Sequence, residues 1–483
     1  MSTSKALRYL AAISLAFTLL ACSDNSDNPG EQPSPPGPFS TASEMVSAIQ
    51  TGDITSSELL EIHLERIEDL NPSINAVVST DIDAARARAA EADAAVQQGE
   101  LWGPLHGLPV TIKDTMNVSG LPTVIGNPDF ADFVPDTNAA GVQRLLDAGA
   151  IVIGKTNTPL FAGDWQTYND VFGTTNNPWD LSRTPGGSSG GSVAAIVSGM
   201  SALELGGDLA GSLRVPAHFT GVYSHMPSLG LIPMDGHFSR FALPPAPEPP
   251  GAIAGVIGPL ARSAEDLELA MSVLAADAFD SLPPARGSEL SDFRVAAWLT
   301  DPALTTDMEV LDVLESAVAE LENAGIEVDR VTPVDDLRRL VTEYLQLRLH
   351  ITNRISLAPE ALDALLARRA TIIADVENFF ENYDVLLMPA APTVAFPHDQ
   401  SPLGERTLSI NGESVDYVGN IDFWIALAQY ANLPVTTAPL GLGVSGLPVG
   451  IQVIGPAGED LTTLTFAGLL GEATGGFEQP PLD

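Results

Sequence analysis

The two most unusual stretches of this chain are Thr184-Pro-Gly-Gly-Ser188-Ser189-Gly-Gly-Ser192 and, shortly after it, Gly206-Gly207-Asp208-Leu209-Ala210-Gly211-Ser212. Paired glycines around serines allow backbone conformations that other residues cannot reach. A flexible Gly/Ser linker is the ordinary alternative, but an Ala/Val-rich helical segment continues directly from the first stretch. Linkers do not usually lie between buried segments, so we interpret both stretches as loops of a functional site.

The segments around these loops alternate between helical and strand-like patterns. Thr41-Ala-Ser-Glu44 and Thr55-Ser-Ser-Glu58 are capping boxes that open two helices, and the second helix is expected to end before Asn71-Pro72. Gly107-Leu-Pro-Val-Thr-Ile-Lys113 predicts a buried strand that ends in a charge. No repeat or clear linker interrupts the alternation, which favours one large α/β domain over residues 39–483.

Composition excludes several classes of protein. The 483 residues are 45% hydrophobic, as in a globular chain. The net charge of −40 repels phosphate backbones and argues against nucleic-acid binding. The chain has a single cysteine, Cys22, which excludes an internal disulfide or a cysteine-based zinc site. It has three lysines, Lys5, Lys113 and Lys155. Because lysine is so rare in this chain, Lys113 and Lys155 are candidates for residues that the protein requires where they stand.

The N-terminus has the pattern of an export signal. Residues 1–21 combine a basic start with a run of 13 uncharged, mostly apolar residues, too short to span a bilayer. Leu19-Leu20-Ala21-Cys22 resembles the lipobox of bacterial lipoproteins, in which the cysteine carries the lipid. An ordinary secretion signal is the alternative. Residues 22–38 have the composition of a flexible tether. We expect an exported lipoprotein, held by its lipid at the outer membrane or the periplasm-facing envelope.

Histidine and metal motifs do not account for the serine loops. The seven histidines form no H-E-x-x-H motif and no paired metal spacing. His218, His225 and His237 lie close in sequence, so one of them could reach a substrate. The other available base is Lys113, because burial at the end of a strand lowers the pKa of a lysine toward neutral. A lysine that extends to the surface is the alternative.

Lys155 lies in a match to the phosphate-binding loop, Gly149-Ala-Ile-Val-Ile-Gly154-Lys155-Thr156. The four middle residues of that motif here form a strand, whereas a phosphate loop needs flexible residues after the strand. We therefore reject the match and expect Lys155 in a loop at the end of the strand.

Three blocks, in this order and spacing, resemble the amidase signature family: Gly107–Asp114, Pro185–Gly191 and Gly207–Ala217. Weaker supporting blocks begin at Gly154, Gly258 and Gly446. The resemblance covers nearly all of residues 39–481. It implies an α/β fold whose mixed central β-sheet is covered by helices on both faces. It also implies hydrolysis of amide C–N bonds that needs neither a metal nor a cofactor.

The resemblance implies a Ser-cisSer-Lys triad. Ser212 matches the nucleophile, Ser188 the bridging serine that follows a cis peptide bond in the family, and Lys113 the base. The family's oxyanion hole maps onto backbone N–H groups at Leu209, Ala210, Gly211 and Ser212. Asp208 and Arg214 are expected to brace this loop as a buried pair.

Two further stretches, Asp164–Asn169 and Thr175–Leu181, resemble the branch that contains aryl-acylamidase-like and cyclic-oligoamide hydrolases. Three of their side chains, Trp165, Gln166 and Tyr168, are candidates for lining a substrate pocket. Packing in the hydrophobic core is the alternative for these side chains. Four residues depart from the family pattern: Leu160, Gly207, Ala210 and Met226. These departures bear on the identity of the substrate more than on the reaction chemistry.

The expected substrate is a small non-peptide amide. The alternatives are a cyclic or oligomeric amide, an ester, or an inactive binding lipoprotein. The oligomeric state is open.

Overall fold

The computed structural model describes residues 35–237, 255–352 and 354–482. The predicted export signal, Cys22 and most of the predicted tether lie outside these ranges. Residues 36–483 form one compact unit, which begins shortly before the predicted start at Phe39. Within the described ranges, none of the helices combines the length and the apolar character that a membrane span needs.

An 11-stranded mixed sheet forms the centre of this unit. In chain order, the described strands are β1 Val77–Thr80, β2 Pro109–Lys113, β3 Ile151–Thr156, β4 Tyr168–Asn169, β5 Gly173–Thr174, β6 Leu203–Asp208, β7 Tyr223–Met226, β8 Val256–Ala261, β9 Val295–Ala297, β10 Val328–Asp329, β11 Val385–Pro389, β12 Thr407–Ile410, β13 Glu413–Asp416, β14 Val435–Leu442 and β15 Pro448–Ile454. The order across the large sheet is β1-β3-β2-β6-β8-β7-β14-β15-β11-β9-β10, and β4-β5 and β12-β13 form two small hairpins. Strand β2 pairs in parallel with β3 and β6, and β9 pairs in parallel with β10 and β11.

Helices connect the strands. The described helices are α1 Ala42–Thr51, α2 Ser56–Ile74, α3 Ile82–Gln97, α4 Ala140–Asp147, α5 Gly190–Val197, α6 Arg214–Thr220, α7 Ala264–Leu274, α8 Met308–Asn323, α9 Leu337–Ile351, α10 Pro359–Phe379, α11 Tyr417–Asn420, α12 Ala426–Ala431 and α13 Asp460–Thr474. Short 3-10 turns lie at Pro128–Phe130, Leu160–Ala162, Ala276–Ser281, Leu290–Asp292 and Leu403–Glu405.

Both faces of the sheet are buried under helices, which confirms the predicted architecture. Along β11, Val385 and Leu387 pack into one apolar cluster with helices α1, α7, α8 and α13. Leu386 and Met388 point the other way, into a second cluster with α5, α6, α9, α10 and α12. Successive side chains of a strand point to opposite faces, so a continuous apolar run such as this one suits a sheet covered on both sides.

The predicted helix starts are confirmed, but the predicted end of the second helix is wrong. Thr41 and Thr55 each cap a helix through a complete capping box. Helix α2 passes through Pro72 and ends only at Ile74, followed by the C-cap residue Asn75 in the left-handed conformation (φ 58°). A proline so close to the helix end removes one hydrogen bond of the last turn, and this local loss does not stop the helix.

The register of β2 and β6 positions the site. Thr111 pairs with Glu204 in this parallel ladder. Parallel strands end at the same edge of a sheet, so the last residues of the two strands, Lys113 and Asp208, lie at a common edge. The loops quoted at the outset precede α5 and follow β6, and this edge is where they meet.

Candidate active site

Lys113 is buried at the end of β2, with 1% of its surface exposed. Its Nζ donates to Ser188 Oγ (2.7 Å), to Ser189 Oγ (2.9 Å) and to the carbonyl oxygen of Gly207 (3.3 Å). Burial lowers the pKa of Lys113 to about 7, although the negative charges of Asp208 and Glu204 act in the opposite direction. A lysine in this state is available as a base near neutral pH.

The carboxylate next to this lysine in sequence does not neutralise it, because it points elsewhere. Asp114 accepts from Lys155 Nζ (3.0 Å) and from the backbone N–H of Ile125 (2.9 Å). Lys155 also donates to the carbonyl oxygen of Pro122 (3.1 Å) and to Thr123 Oγ1 (3.1 Å). The prediction that Lys155 lies in a loop is wrong, since it is a fully buried residue within β3. Its ion pair with Asp114 fixes the segment that follows Lys113.

Ser188 lies in the loop before α5 and follows a cis peptide bond, Gly187–Ser188. The loop is held tightly, because a Cβ on Gly187 would lie 2.4 Å from the carbonyl oxygen of Asp164. Thr158 Oγ1 donates to the carbonyl oxygen of Ser188 (2.9 Å). Ser189, which the sequence reasoning did not single out, is a second hydroxyl partner of the lysine.

Ser212 lies in the tight turn between β6 and α6 and is 8% exposed. The turn places Gly211 in the left-handed region (φ 84°), whereas Ala210 is not among the residues with positive φ. Ala210 occupies a position where the family usually has glycine. Because its φ is not positive, it carries none of the strain of a left-handed backbone conformation. In the described chain, no hydrogen bond joins Ser212 Oγ to Ser188.

The buried Asp208–Arg214 ion pair braces this turn, as predicted. Asp208 accepts from the N–H groups of Gly211 (2.8 Å) and Leu213 (3.0 Å), and Arg214 Nε donates to it (3.0 Å). Burial opposes ionisation of Asp208, but Arg214 and the two N–H groups outweigh it, so its pKa is held below the usual range. Arg214 also donates to Gln452 Oε1 (2.8 Å), which ties the turn to β15.

The four predicted oxyanion donors differ in availability. The N–H of Gly211 is already committed to Asp208. The N–H groups of Leu209, Ala210 and Ser212 have no acceptor among the described residues. The carbonyls of the same turn are held from the other side, since Tyr344 Oη donates to Leu209 (2.9 Å) and Trp165 Nε1 donates to Ala210 (2.8 Å). A peptide plane whose C=O is fixed also has its N–H direction fixed, so these contacts orient the N–H groups of Ala210 and Gly211.

The three side chains suggested for a pocket have different surroundings. Trp165 is 3% exposed and braces the turn through its indole N–H. Arg406 donates to Tyr168 Oη and also pairs with Asp164. Gln166 exchanges two hydrogen bonds with the backbone of Asp399 and lines a cavity of about 400 Å³. None of the three predicted catalytic side chains is among the described residues that line this cavity.

The three histidines close in sequence are far from equivalent. His218 is buried between the backbone of Gly450 and Thr393, and His225 between Thr436 and Asp460. His237 lies beside the site, because a Cβ on Gly207 would be 3.3 Å from its Nε2. The departure from the usual serine or threonine at Gly207 leaves room for this imidazole. Burial and the nearby Lys113 lower the pKa of His237 to about 4, which keeps it neutral.

Two further members of the site escaped the sequence reasoning. Glu204 is a buried carboxyl on β6, and a charge inside the apolar run Leu203-Glu204-Leu205 was the available signal. Tyr344 comes from α9, more than a hundred residues along the chain, and carries no local signal.

Comparison with known proteins places this chain in a family. The sequence model of the Amidase family matches residues 58–349 and 335–464. A glutamyl-tRNA(Gln) amidotransferase component from Heliobacterium modesticaldum is 31% identical over 91% of this chain and 98% of its own. An acylamidase of Rhodococcus erythropolis is 30% identical over 88% of this chain and 94% of its own.

Solved structures of similar proteins superpose on this chain. A bacterial aryl acylamidase of the amidase signature family superposes with a TM-score of 0.76 at 26% identity, over 90% of this chain and 96% of its own. A 6-aminohexanoate cyclic dimer hydrolase shares the fold with a TM-score of 0.73 at 24% identity, over 92% of this chain and 99% of its own. The chain belongs to the amidase signature family. It is an amide hydrolase, an enzyme that breaks C–N bonds.

Proposed function

We propose that this enzyme hydrolyses small non-peptide amides by two-step acyl transfer through a Ser212–Ser188–Lys113 triad. The observation that carries the proposal is the 2.7 Å separation between Nζ of the buried Lys113 and Ser188 Oγ, across which a neutral amine can accept the hydroxyl proton. A solvent-exposed lysine would be charged and unable to accept a proton, whereas burial gives this amine a pKa of about 7.

Neutral Lys113 takes the proton of Ser188, Ser188 takes that of Ser212, and Ser212 Oγ attacks the amide carbon. The oxyanion is received by the N–H groups of Leu209, Ala210 and Ser212; one such donor contributes about 3 kcal/mol. Ser188 then passes its proton to the leaving amine and recovers one from Lys113. Water, deprotonated through the same two residues, attacks the acyl carbon and releases the acyl group, and its proton is returned to Ser212. We expect the contact between Ser188 and Ser212 to form as the substrate binds, since catalytic hydrogen bonds often tighten only then.

The substrate class is argued from charge and from the relatives. A net charge of −40 is unfavourable for the tRNA named in one relative, whereas it does not impede an uncharged amide. The acylamidase and aryl acylamidase support a small acylated amine. A cyclic or oligomeric amide, or an ester, is the alternative for the same chemistry.

The experiment compares wild type with Ser212→Ala on a panel of aryl amides, aliphatic amides, oligoamides and matched esters, scored by release of amine or alcohol. We expect Ser212→Ala to lower kcat by about 10³-fold or more on every substrate that wild type cleaves. Ser201→Ala is the matched control, because Ser201 is a buried serine whose hydroxyl donates to the carbonyl oxygen of Leu203 and to no predicted catalytic residue. Equal rates for wild type and Ser212→Ala would refute the nucleophile. Cleavage of glutamine alone would point to an amidotransferase-like role.

We also propose that the enzyme is exported and anchored by a lipid on Cys22. The support is the sequence pattern of residues 1–22. Metabolic labelling with a palmitate analogue should mark wild type and leave Cys22→Ser unmarked. An unlabelled wild-type band would refute the anchor.

A further inference from the structure

Tyr344 braces the turn after β6, and the contacts behind its hydroxyl have no role in the mechanism above. This tyrosine of α9 is fully buried, and its Oη donates to the carbonyl oxygen of Leu209 (2.9 Å). One helical turn further on, Nη1 of Arg348 donates to the same Oη (3.4 Å). The Arg348 guanidinium in turn binds the carboxylate of Asp422 through two hydrogen bonds, of 2.8 and 2.7 Å. A chain of contacts therefore runs from Asp422 to the turn that carries Ser212.

The Arg348–Asp422 ion pair has a fixed geometry. Its two parallel hydrogen bonds hold the planar guanidinium in one orientation. The side chain of Asp422 is 2% exposed and that of Arg348 is 19% exposed, so the pair is largely shielded from solvent. The pair therefore presents Nη1 of Arg348 to Tyr344 in a defined direction.

A guanidinium limits the direction in which a neighbouring hydroxyl donates. The hydroxyl of tyrosine has one proton and can also accept, whereas a guanidinium has five donors and no acceptor. The Tyr344 proton thus finds no acceptor on Arg348 and is directed to the carbonyl oxygen of Leu209. Because a peptide group is planar, that carbonyl fixes the direction of the N–H of Ala210, one of the proposed oxyanion donors.

The segment that carries Asp422 also contacts the turn directly. Three residues further on, the carbonyl oxygen of Ile425 accepts from Arg214 Nη1 (3.0 Å). The side chain of Ile425 packs against Gly211, where a Cβ would lie 3.1 Å from its Cγ2. Helix α9 and this segment thus each hold one part of the turn, and the Arg348–Asp422 ion pair joins the two.

We propose that Arg348 and Asp422 are positioning residues for the oxyanion hole. They direct the Tyr344 hydroxyl to the turn and thereby aim the N–H of Ala210 at the oxyanion. This role rests on the proposed function, in which that oxyanion forms during nucleophilic attack on the amide. Since the oxyanion exists only at and after the transition state, the two residues contribute to kcat and much less to substrate binding.

A double-mutant cycle tests this coupling. Arg348→Gln replaces the guanidinium by an amide, whose oxygen can accept the Tyr344 proton and draw it away from the turn. With Tyr344 present, we expect this variant to lower kcat about three- to tenfold with little change in KM. In a Tyr344→Phe background the hydroxyl is absent, so the same replacement should change kcat less than about twofold. An equal loss of kcat in both backgrounds would overturn the proposal.

Two further variants keep the test decisive. Asp422→Asn removes the charge that holds the guanidinium, so it should lower kcat by a smaller factor, again only where the tyrosine hydroxyl is retained. It replaces Arg348→Gln if that variant does not fold. Arg338→Gln is the matched control, because this arginine of α9 donates to the carbonyl oxygen of Gly419 (2.9 Å) and to Asn420 Oδ1 (3.1 Å), just before Asp422 in the chain. It should lower the melting temperature and leave kcat unchanged; a fall in kcat as large as that of Arg348→Gln would overturn the proposal.

Ser212→Ala, assayed alongside, separates this proposal from the proposed function. If Ser212→Ala retains the rate of wild type, the proposed function is wrong. If Ser212→Ala is inactive while the variants at Arg348 and Asp422 keep the kcat of wild type, the positioning role is wrong and the proposed function stands.

Discussion

Lys113→Met isolates what the buried amine contributes. An exposed lysine with the ordinary pKa of 10.5 is neutral in about one molecule in 3,000 at pH 7, whereas a pKa of about 7 leaves about half of the molecules neutral. Burial therefore raises the concentration of free base about a thousandfold. We expect kcat/KM of wild type to rise about tenfold per pH unit up to about pH 7 and to level off above it. The Lys113→Met variant should lack this rise of kcat/KM with pH, and it should lose nearly all activity.

The same variant should be more stable than wild type. The folded pKa lies below the unfolded one, so the unfolded chain binds more protons between pH 7 and 10.5, and wild-type stability rises with pH across that window. Methionine has no such penalty, and its gain over wild type is greatest at and below pH 7. One pKa unit corresponds to about 1.4 kcal/mol, so the fall from 10.5 to about 7 sets an upper limit of about 5 kcal/mol on this gain.

Urea unfolding at several pH values measures the gain in the free energy of unfolding. Initial rates measured across the same pH range test the rise of kcat/KM up to about pH 7. A rate profile that stays flat from about pH 5 to about pH 9 would refute the reasoning, since no group with the pKa of Lys113 would then control the reaction. Lys113→Met that is both active and no more stable than wild type would refute it a second time. The matched control is Lys155→Met, which removes a paired ammonium and should therefore destabilise.

Three further outcomes follow from the turn after β6 and from the loop that leads into α5. Arg214→Leu leaves the carboxylate of Asp208 buried and unpaired, so urea unfolding should show a loss of about 3–5 kcal/mol that shrinks as acid protonates Asp208; a pH-independent loss would contradict this. Tyr344→Phe frees the carbonyl of Leu209 and should lower kcat with little change in KM, and a pure KM effect would argue against its role in orienting the turn. Gly191→Ala should prevent folding or lower the melting temperature sharply, because its Cβ would lie 2.3 Å from a backbone nitrogen; circular dichroism during heating checks this.

Local chemistry made part of the fold predictable. Capping boxes at Thr41 and Thr55 specify helix starts through contacts within four residues, and both formed as expected. The end of α2 depended on Asn71, whose side chain bonds to the backbone of Val77 beyond the helix. Such contacts to the next segment are invisible to a rule about the residue before a proline.

The site was predictable where family blocks carry the chemistry, and less so where the third dimension decides. The loops with Ser188 and Ser212 and the strand ending in Lys113 were recognisable as motifs. Tyr344 joins the site from a distant helix, so no spacing rule could find it. The predicted position of Lys155 was wrong because β3 is longer than its apolar run. The buried charge of Lys155 is accommodated by its ion pair with Asp114 and by two further hydrogen bonds.

The placement of the lysines has a consequence for the handling of this protein. Both lysines of the compact unit are buried, so its surface offers no ε-amino group to reagents. Succinimidyl esters and glutaraldehyde should leave the native enzyme almost unlinked, and trypsin must cut at arginine alone. Amine coupling to a solid support will require an added tag. Conversely, any amine-directed probe small enough to enter and label the native unit would report on the opening of its interior.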